Sequence, residues 1–245
     1  AALETALGYP MPTAAGTVFF FLNRGALFFV KPRWRGALLT ESCLNGSSEM
    51  VGQLAAALTT FLFNLTMMER LGEDGVAAVT IMIYSQFLLN TLFIGFSMGV
   101  APVIGFHYGS GNRKQQRKIL SICIRFLAAA SLLIFALSIS GGSLVVRMFT
   151  PDASRVYEIA AAGFPVFSVS FLFCGFNIFI SALFTALSNG KVSAVLSFLR
   201  TFGLLCGGIL LLPRLFGITG VWMAVPMAEG IMFFVSLGCL IYYRE

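Results

Sequence analysis

Residues 75–118 read GVAAVTIMIYSQFLLNTLFIGFSMGVAPVIGFHYGSGNRKQQRK, and from Val76 to Phe106 no side chain carries a charge. At about 1.5 Å of rise per residue, this run exceeds the ~20 apolar residues needed to cross a ~30 Å hydrocarbon layer. A glycine-rich loop closes it, followed by Arg113, Lys114, Arg117 and Lys118. Lys and Arg are retained on the cytoplasmic face of a membrane, so the stretch reads as a transmembrane helix with its inner end marked.

The pattern repeats along the chain. Apolar spans are predicted over residues 5–22, 50–68, 76–106, 119–146, 157–187, 192–212 (ended by Pro213) and 218–243. Residues 23–44 form a basic cytoplasmic linker, and the small polar run 41–49 marks the entry to the second span. Under this scheme the inner segments hold ten basic residues: Arg24, Lys31, Arg33, Arg35, Arg113, Lys114, Arg117, Lys118, Lys191 and Arg244. The outer ones hold four, Arg70, Arg147, Arg155 and Arg214. That bias fixes the orientation and places the C-terminus in the cytoplasm, anchored by Tyr242, Tyr243 and Arg244.

Composition excludes a soluble domain. The chain is 58% hydrophobic and 11% charged, against roughly 25% charged in soluble proteins. The formal charge of +6 sits at helix ends, which reads as topology and not as a nucleic-acid partner. Five scattered cysteines without a Cys-x-x-Cys pair give neither a disulfide framework nor a metal site. The expected fold is an all-α polytopic membrane protein in a bacterial-type inner membrane, with the lipid bilayer as solvent. Seven crossings put the N-terminus outside, as expected of one helix followed by a six-helix lobe whose preceding lobe is missing.

Several blocks then carry a resemblance. GVAPVIGFHYGSGN (99–112), NIFISALFTALSNGKVSAVLSFLR (177–200), LFGITGVWMAVPMAE (215–229) and NGSSEMV (45–51) occur in order. They resemble the second lobe of the multidrug and toxic compound extrusion (MATE) family, and residues 5–22 resemble the last helix of its first lobe. The resemblance implies residues 1–22 as that helix, 23–44 as the inter-lobe linker and 45–245 as a six-helix MATE-like lobe. It also implies exchange of an organic cation or drug for Na⁺ or H⁺ by alternating access, with no other cofactor. The glutamate that some members carry on the first helix of this lobe is unmatched, since residues 50–68 hold no acid.

The residues themselves nominate a site. Glu229 lies near the middle of the last span, where an ionised carboxylate costs a few kcal/mol unless paired or hydrated. Pro226 opens the helix nearby. Arg200 lies at a similar depth from the opposite side, within an arginine's reach, so the pair reads either as a cation-binding carboxylate with its counter-ion or as a structural ion pair. Glu49 begins the second span, either as a pathway residue or as a solvated boundary charge; Gln53 and Asn64 form a polar stripe with it. Gln86 and Asn90, spaced i,i+4 beside Tyr84, and Asn177 line a cavity or join helices.

Three motifs are declined. Gly95-x-Ser97-x-Gly99 lacks the strand-to-helix elbow of a hydrolase. His107 has no acid partner nearby in sequence. Gly105-x-x-x-Gly109 follows no strand, so it is no nucleotide loop. An intramembrane enzyme therefore ranks last. A flippase for lipid-linked precursors, which needs a strongly basic cavity, and a non-transporting membrane fragment remain as alternatives.

Overall fold

A computed structural model describes residues 10–22, 34–151 and 154–243, with the side chains at 12, 44, 45 and 47–49 outside that description. The described elements are helices: α1 Pro10–Phe21, α2 Gly36–Gly109, α3 Arg113–Arg147, α4 Arg155–Ser168, α5 Phe171–Ala186, α6 Gly190–Phe198, a π-helical turn Leu199–Cys206, and α7 Gly207–Tyr242. The chain divides into two compact units, Ala1–Thr40 and Glu41–Glu245. The first contains α1, whose 12 residues rise about 18 Å. The part of the predicted first span before Pro10, the linker cations Arg24, Lys31 and Arg33, and Arg244 lie outside the described residues.

Two long helices of the second unit are hairpins. Gly72 (φ 66°, ψ −150°) breaks α2, and Gly217 (φ 62°, ψ −138°) breaks α7. A positive φ suits glycine because it has no Cβ to clash with its own backbone. The chain reverses at both. A Cβ at Gly75 would lie 3.0 Å from the Met67 carbonyl oxygen, and one at Gly208 would lie 3.6 Å from Ala224. In a straight helix the second pair would be about 24 Å apart.

Met50–Gly109, Arg113–Arg147 and Gly190–Tyr242 are long and apolar enough to cross a membrane, and the bent pair α4–α5 adds a fourth candidate. Counting each hairpin as two arms gives six candidate crossings in this region, in the order the sequence predicts.

Three details depart from expectation. The helix carrying the second span starts at Gly36, within the segment read as linker. Pro213 does not end the sixth span: the helix runs through it, and Gly217 makes the break. The fifth span is not straight, because α4 and α5 meet at 58° after Pro165, whose missing N–H weakens the last turn of α4.

Side-chain caps start the helices between crossings. Asn112 Oδ1 accepts from Gln115 N (3.1 Å), Ser154 Oγ from Tyr157 N (3.1 Å) and Asn189 Oδ1 from Val192 N (3.5 Å). Each satisfies an N–H that a helix start leaves without a partner. At one pole Arg155 meets Asp74 at 3.9 Å, joining the Gly72 turn to the start of α4. At the other pole Tyr108, Arg113, Leu187 and Tyr243 line one cavity. The poles therefore alternate as a serpentine chain requires, and the basic cluster Arg113–Lys118 lies at the second.

Large apolar side chains such as Phe87, Leu88, Met98 and Phe234 face outward. In a soluble protein that surface would aggregate, whereas lipid accepts it. Inside, glycines admit rings. A Cβ at Gly142, Gly163 or Gly175 would lie 2.6, 2.5 or 2.7 Å from the rings of Phe164, Trp222 and Phe93. Such small-residue notches let helices pack closely where the hydrophobic effect supplies no drive between them.

Candidate functional site

Four elements bring their polar residues together in the middle of the second unit. Asn90 comes from the second arm of α2, Cys174 and Asn177 from α5, Arg200 from the π-helical turn and Glu229 from the second arm of α7. Glu229 is 4% exposed and Asn177 3%. Arg200 donates to Glu229 Oε1 from Nε (2.9 Å) and also from Nη2. Asn177 Nδ2 donates to Glu229 Oε2 (2.8 Å) and to the Glu229 backbone carbonyl (3.0 Å). The carboxylate thus accepts three hydrogen bonds and faces one guanidinium, which satisfies its ionised form although its own side chain is buried.

One turn from Asn177, the Cys174 thiol donates to Asn90 Oδ1 at 3.1 Å. Asn177 Oδ1 is buried and accepts no hydrogen bond among the described residues. Arg200 is the second residue of the π-helical stretch, and its side chain retains 25% exposure. Local π geometry widens a helix and shifts side chains off the α register; here it accompanies the turn that presents the guanidinium to Glu229.

A ladder of hydroxyls continues from this cluster toward the basic pole. On α5, Asn177, Ser181 and Thr185 share a face at i, i+4 and i+8; Ser193, Ser197 and Arg200 do so across α6 and the π turn. Ser193 Oγ donates to the Ser181 carbonyl (2.9 Å), accepts from Thr185 Oγ1 (2.9 Å) and lies 2.8 Å from Ser181 Oγ. Ser181 Oγ is in turn 3.2 Å from Ser197 Oγ.

Of the residues nominated by sequence, Glu229, Arg200 and Asn177 meet directly, and Asn90 joins through Cys174. Gln86 is half-buried and makes no hydrogen bond among the described residues, Tyr84 faces outward, and Gln53 is exposed. Asn64 is half-buried, and its Oδ1 has no partner among the described residues. The Glu49 side chain lies outside the described residues. Sequence reasoning missed Cys174, the π turn and the hydroxyl ladder. The ladder's i,i+4 spacing is visible in the sequence, but the partners of its hydroxyls are not.

The MatE family model matches residues 50–206. This chain belongs to the MatE family. It is 21% identical over 238 residues to the multidrug export protein MepA of Staphylococcus haemolyticus, covering 95% of this chain and 52% of that protein. Among solved structures, a MATE protein in complex with MaL6 superposes with a TM-score of 0.82 at 19% identity, covering 90% of this chain and 51% of that one. A MOP-superfamily transporter from Pyrococcus furiosus, for which a binding pocket of reverse polarity and a different function are suggested, gives 0.80 at 19%, covering 94% and 53%. The fold is that of the MatE family, in an all-α multi-pass membrane chain. The chain spans about half the length of the relatives it matches.

Proposed function

We propose that this chain supplies one lobe of a multidrug efflux antiporter that exports an organic cation in exchange for a small cation, with Glu229 as the coupling carboxylate. The reading is of a transporter: the cluster holds a carboxylate and its counter-ion in the middle of a bundle of apolar helices long enough to cross a membrane. The observation that carries it is the buried Glu229 carboxylate held by Arg200 and Asn177 in a MatE chain.

The cluster is neutral as a whole, so it attracts a cation only when Arg200 lets go. Proton, Arg200 and organic cation compete for one carboxylate, which is the elementary requirement of exchange. Between Na⁺ and H⁺ the geometry favours H⁺. The groups touching Glu229 are N–H donors, and these repel a metal ion that requires several oxygen ligands. A proton needs a single acceptor. Rotating the Asn177 amide by half a turn would turn Oδ1 toward Oε2, so the same cradle accommodates the carboxylic acid. Protonation would then free Arg200, whose partly exposed head can repack with the hairpin and open the opposite face. The ladder through Ser181, Ser193, Ser197 and Thr185 supplies an inner route for the proton.

A lipid-linked precursor flippase ranks below this. Its cavity would need net positive charge, whereas Arg200 is balanced by Glu229 and Arg125 is exposed on α3.

The test is export of a cationic dye by cells making the whole gene product that contains this chain, across external pH. Glu229→Gln is expected to lose export or its pH dependence while membrane protein level holds. Normal export at every pH in that variant would remove Glu229 from the mechanism. A proton-insensitive but Na⁺-dependent wild type would replace H⁺ by Na⁺.

A further inference from the structure

The basic pole encloses a cavity of about 400 Å³, apart from the Glu229 cluster. Its walls come from the ends of α2, α3, α5 and α7. The floor is apolar, built from Leu183, Phe184 and Leu240. The rim is cationic, with Arg113 and Arg117 spaced i,i+4 on the first turns of α3. No acid lines it. Among the described residues neither arginine has an ion pair or a side-chain hydrogen bond, so both guanidinium forks are available. The positive end of the 35-residue α3 dipole lies on the same side.

Topology alone would explain basic residues at this pole, but not a cavity with a greasy floor beneath them. A cationic rim over an apolar floor at the membrane–water boundary matches one kind of molecule: an anionic head carrying hydrocarbon. Tyr108 and Tyr243 on the wall set the level, since such rings favour the headgroup layer. We propose that this cavity is a binding site for an anionic phospholipid, its phosphodiester held by Arg113 and Arg117 and its acyl chains laid over Leu183, Phe184 and Leu240. Arginine forks hold phosphate oxygens bidentately, and with no acid among the described lining residues to balance a choline cation, the rim favours a headgroup of net negative charge over a zwitterionic one. The lipid here is a bound ligand at the end of the bundle and not a transported substrate, so the site stands whether or not Glu229 couples export.

The purified full-length protein would be titrated in detergent with phosphatidylglycerol, phosphatidylcholine or inorganic phosphate, reading bound lipid by native mass spectrometry and the melting midpoint in parallel. Phosphatidylglycerol is expected to bind and raise the midpoint; the other two are expected to do neither. Arg113→Gln with Arg117→Gln should weaken binding roughly tenfold or more, and Lys114→Gln with Lys118→Gln, equal in charge but off the cavity wall, should change it less than about twofold. Leu240→Trp, which fills the floor and leaves the rim charges intact, should also abolish binding and decides the matter if the arginine variant fails to fold. Equal binding of phosphatidylcholine would overturn the site. So would equal loss in the two charge variants, binding of inorganic phosphate as tight as lipid, or undiminished lipid binding by Leu240→Trp.

Discussion

Where α5 meets the last hairpin, contact is made by two sets of hydrogen bonds: Glu229 to Arg200 and Asn177, and Ser193 to Ser181 and Thr185. Where α3, α4 and the second arm of α2 meet their neighbours, it is made by rings set into glycine notches at Gly142, Gly163 and Gly175. Both seams lie in hydrocarbon, where apolar side chains gain nothing by leaving lipid for protein. The ring seam holds by shape, and a ring in its notch has one good position. The polar seam holds by partners, and partners can be exchanged. The proposed efflux role needs both, a rigid part that moves as a body and a part that can trade one bond for another.

The largest effect should come from unbalancing the polar seam. Glu229→Ala leaves Arg200 charged and unpaired, a loss of about 3–5 kcal/mol for a fully buried partner. Because the Arg200 side chain keeps 25% exposure, the lower end of that range is expected. Replacing both residues by Gln should recover most of the loss, since an amide pair leaves no charge stranded. Thermal melts of the detergent-purified full-length protein would show this, and additive losses for the two single variants would mean that the pair is not coupled.

The ring seam should break less sharply. Gly163→Val drives a side chain into the Trp222 indole, which is 4% exposed and has nowhere to go; about 1–3 kcal/mol is expected. Gly238→Ala, with nothing within 4 Å of its Cβ, is the control and should cost nothing. Monodispersity by fluorescence-detected size exclusion separates the two, and equal behaviour would mean that the notch does not hold the helices.

Much of this contrast was legible beforehand, and the exceptions have physical reasons. The crossings follow from uncharged runs that must bond their backbones internally, which only helices do here. Glu229 and Arg200 could be matched by depth because intramembrane charges are too costly to leave alone. The position of the breaks was harder to read. Pro213 suggested an end, yet a membrane helix tolerates proline when neighbours satisfy the freed carbonyl, and Pro102 lies in an arm with no break. Pro165 looks no different in sequence, but a 58° bend follows it. The hydroxyl ladder was hidden because serines also bond their own helix: Ser85 to the Ile81 carbonyl, Ser140 to Ala136 and Ser168 to Phe164. Such back-bonded serines look identical in sequence to those that face a partner.

The smallest expected effect therefore discriminates most. Ser193→Ala removes a hydroxyl that accepts from Thr185 and donates to the Ser181 carbonyl. Thr185 keeps the Ser181 carbonyl as a partner at 3.2 Å, and Ser181 keeps Ser197. Few groups are stranded, so stability should fall by only ~0.6 kcal/mol, typical of one interhelical hydrogen bond in a membrane. If the ladder only joins α5 to α6, dye export should fall no further than the amount of folded protein. If protons reach Glu229 along it, export per folded molecule should drop severalfold in Ser193→Ala, because the chain of oxygens is cut at its most connected member. Ser193→Thr, which restores the hydroxyl, should recover the rate. Unchanged export per molecule in Ser193→Ala would reduce the ladder to a hinge of hydrogen bonds and leave Glu229 to be reached from another side.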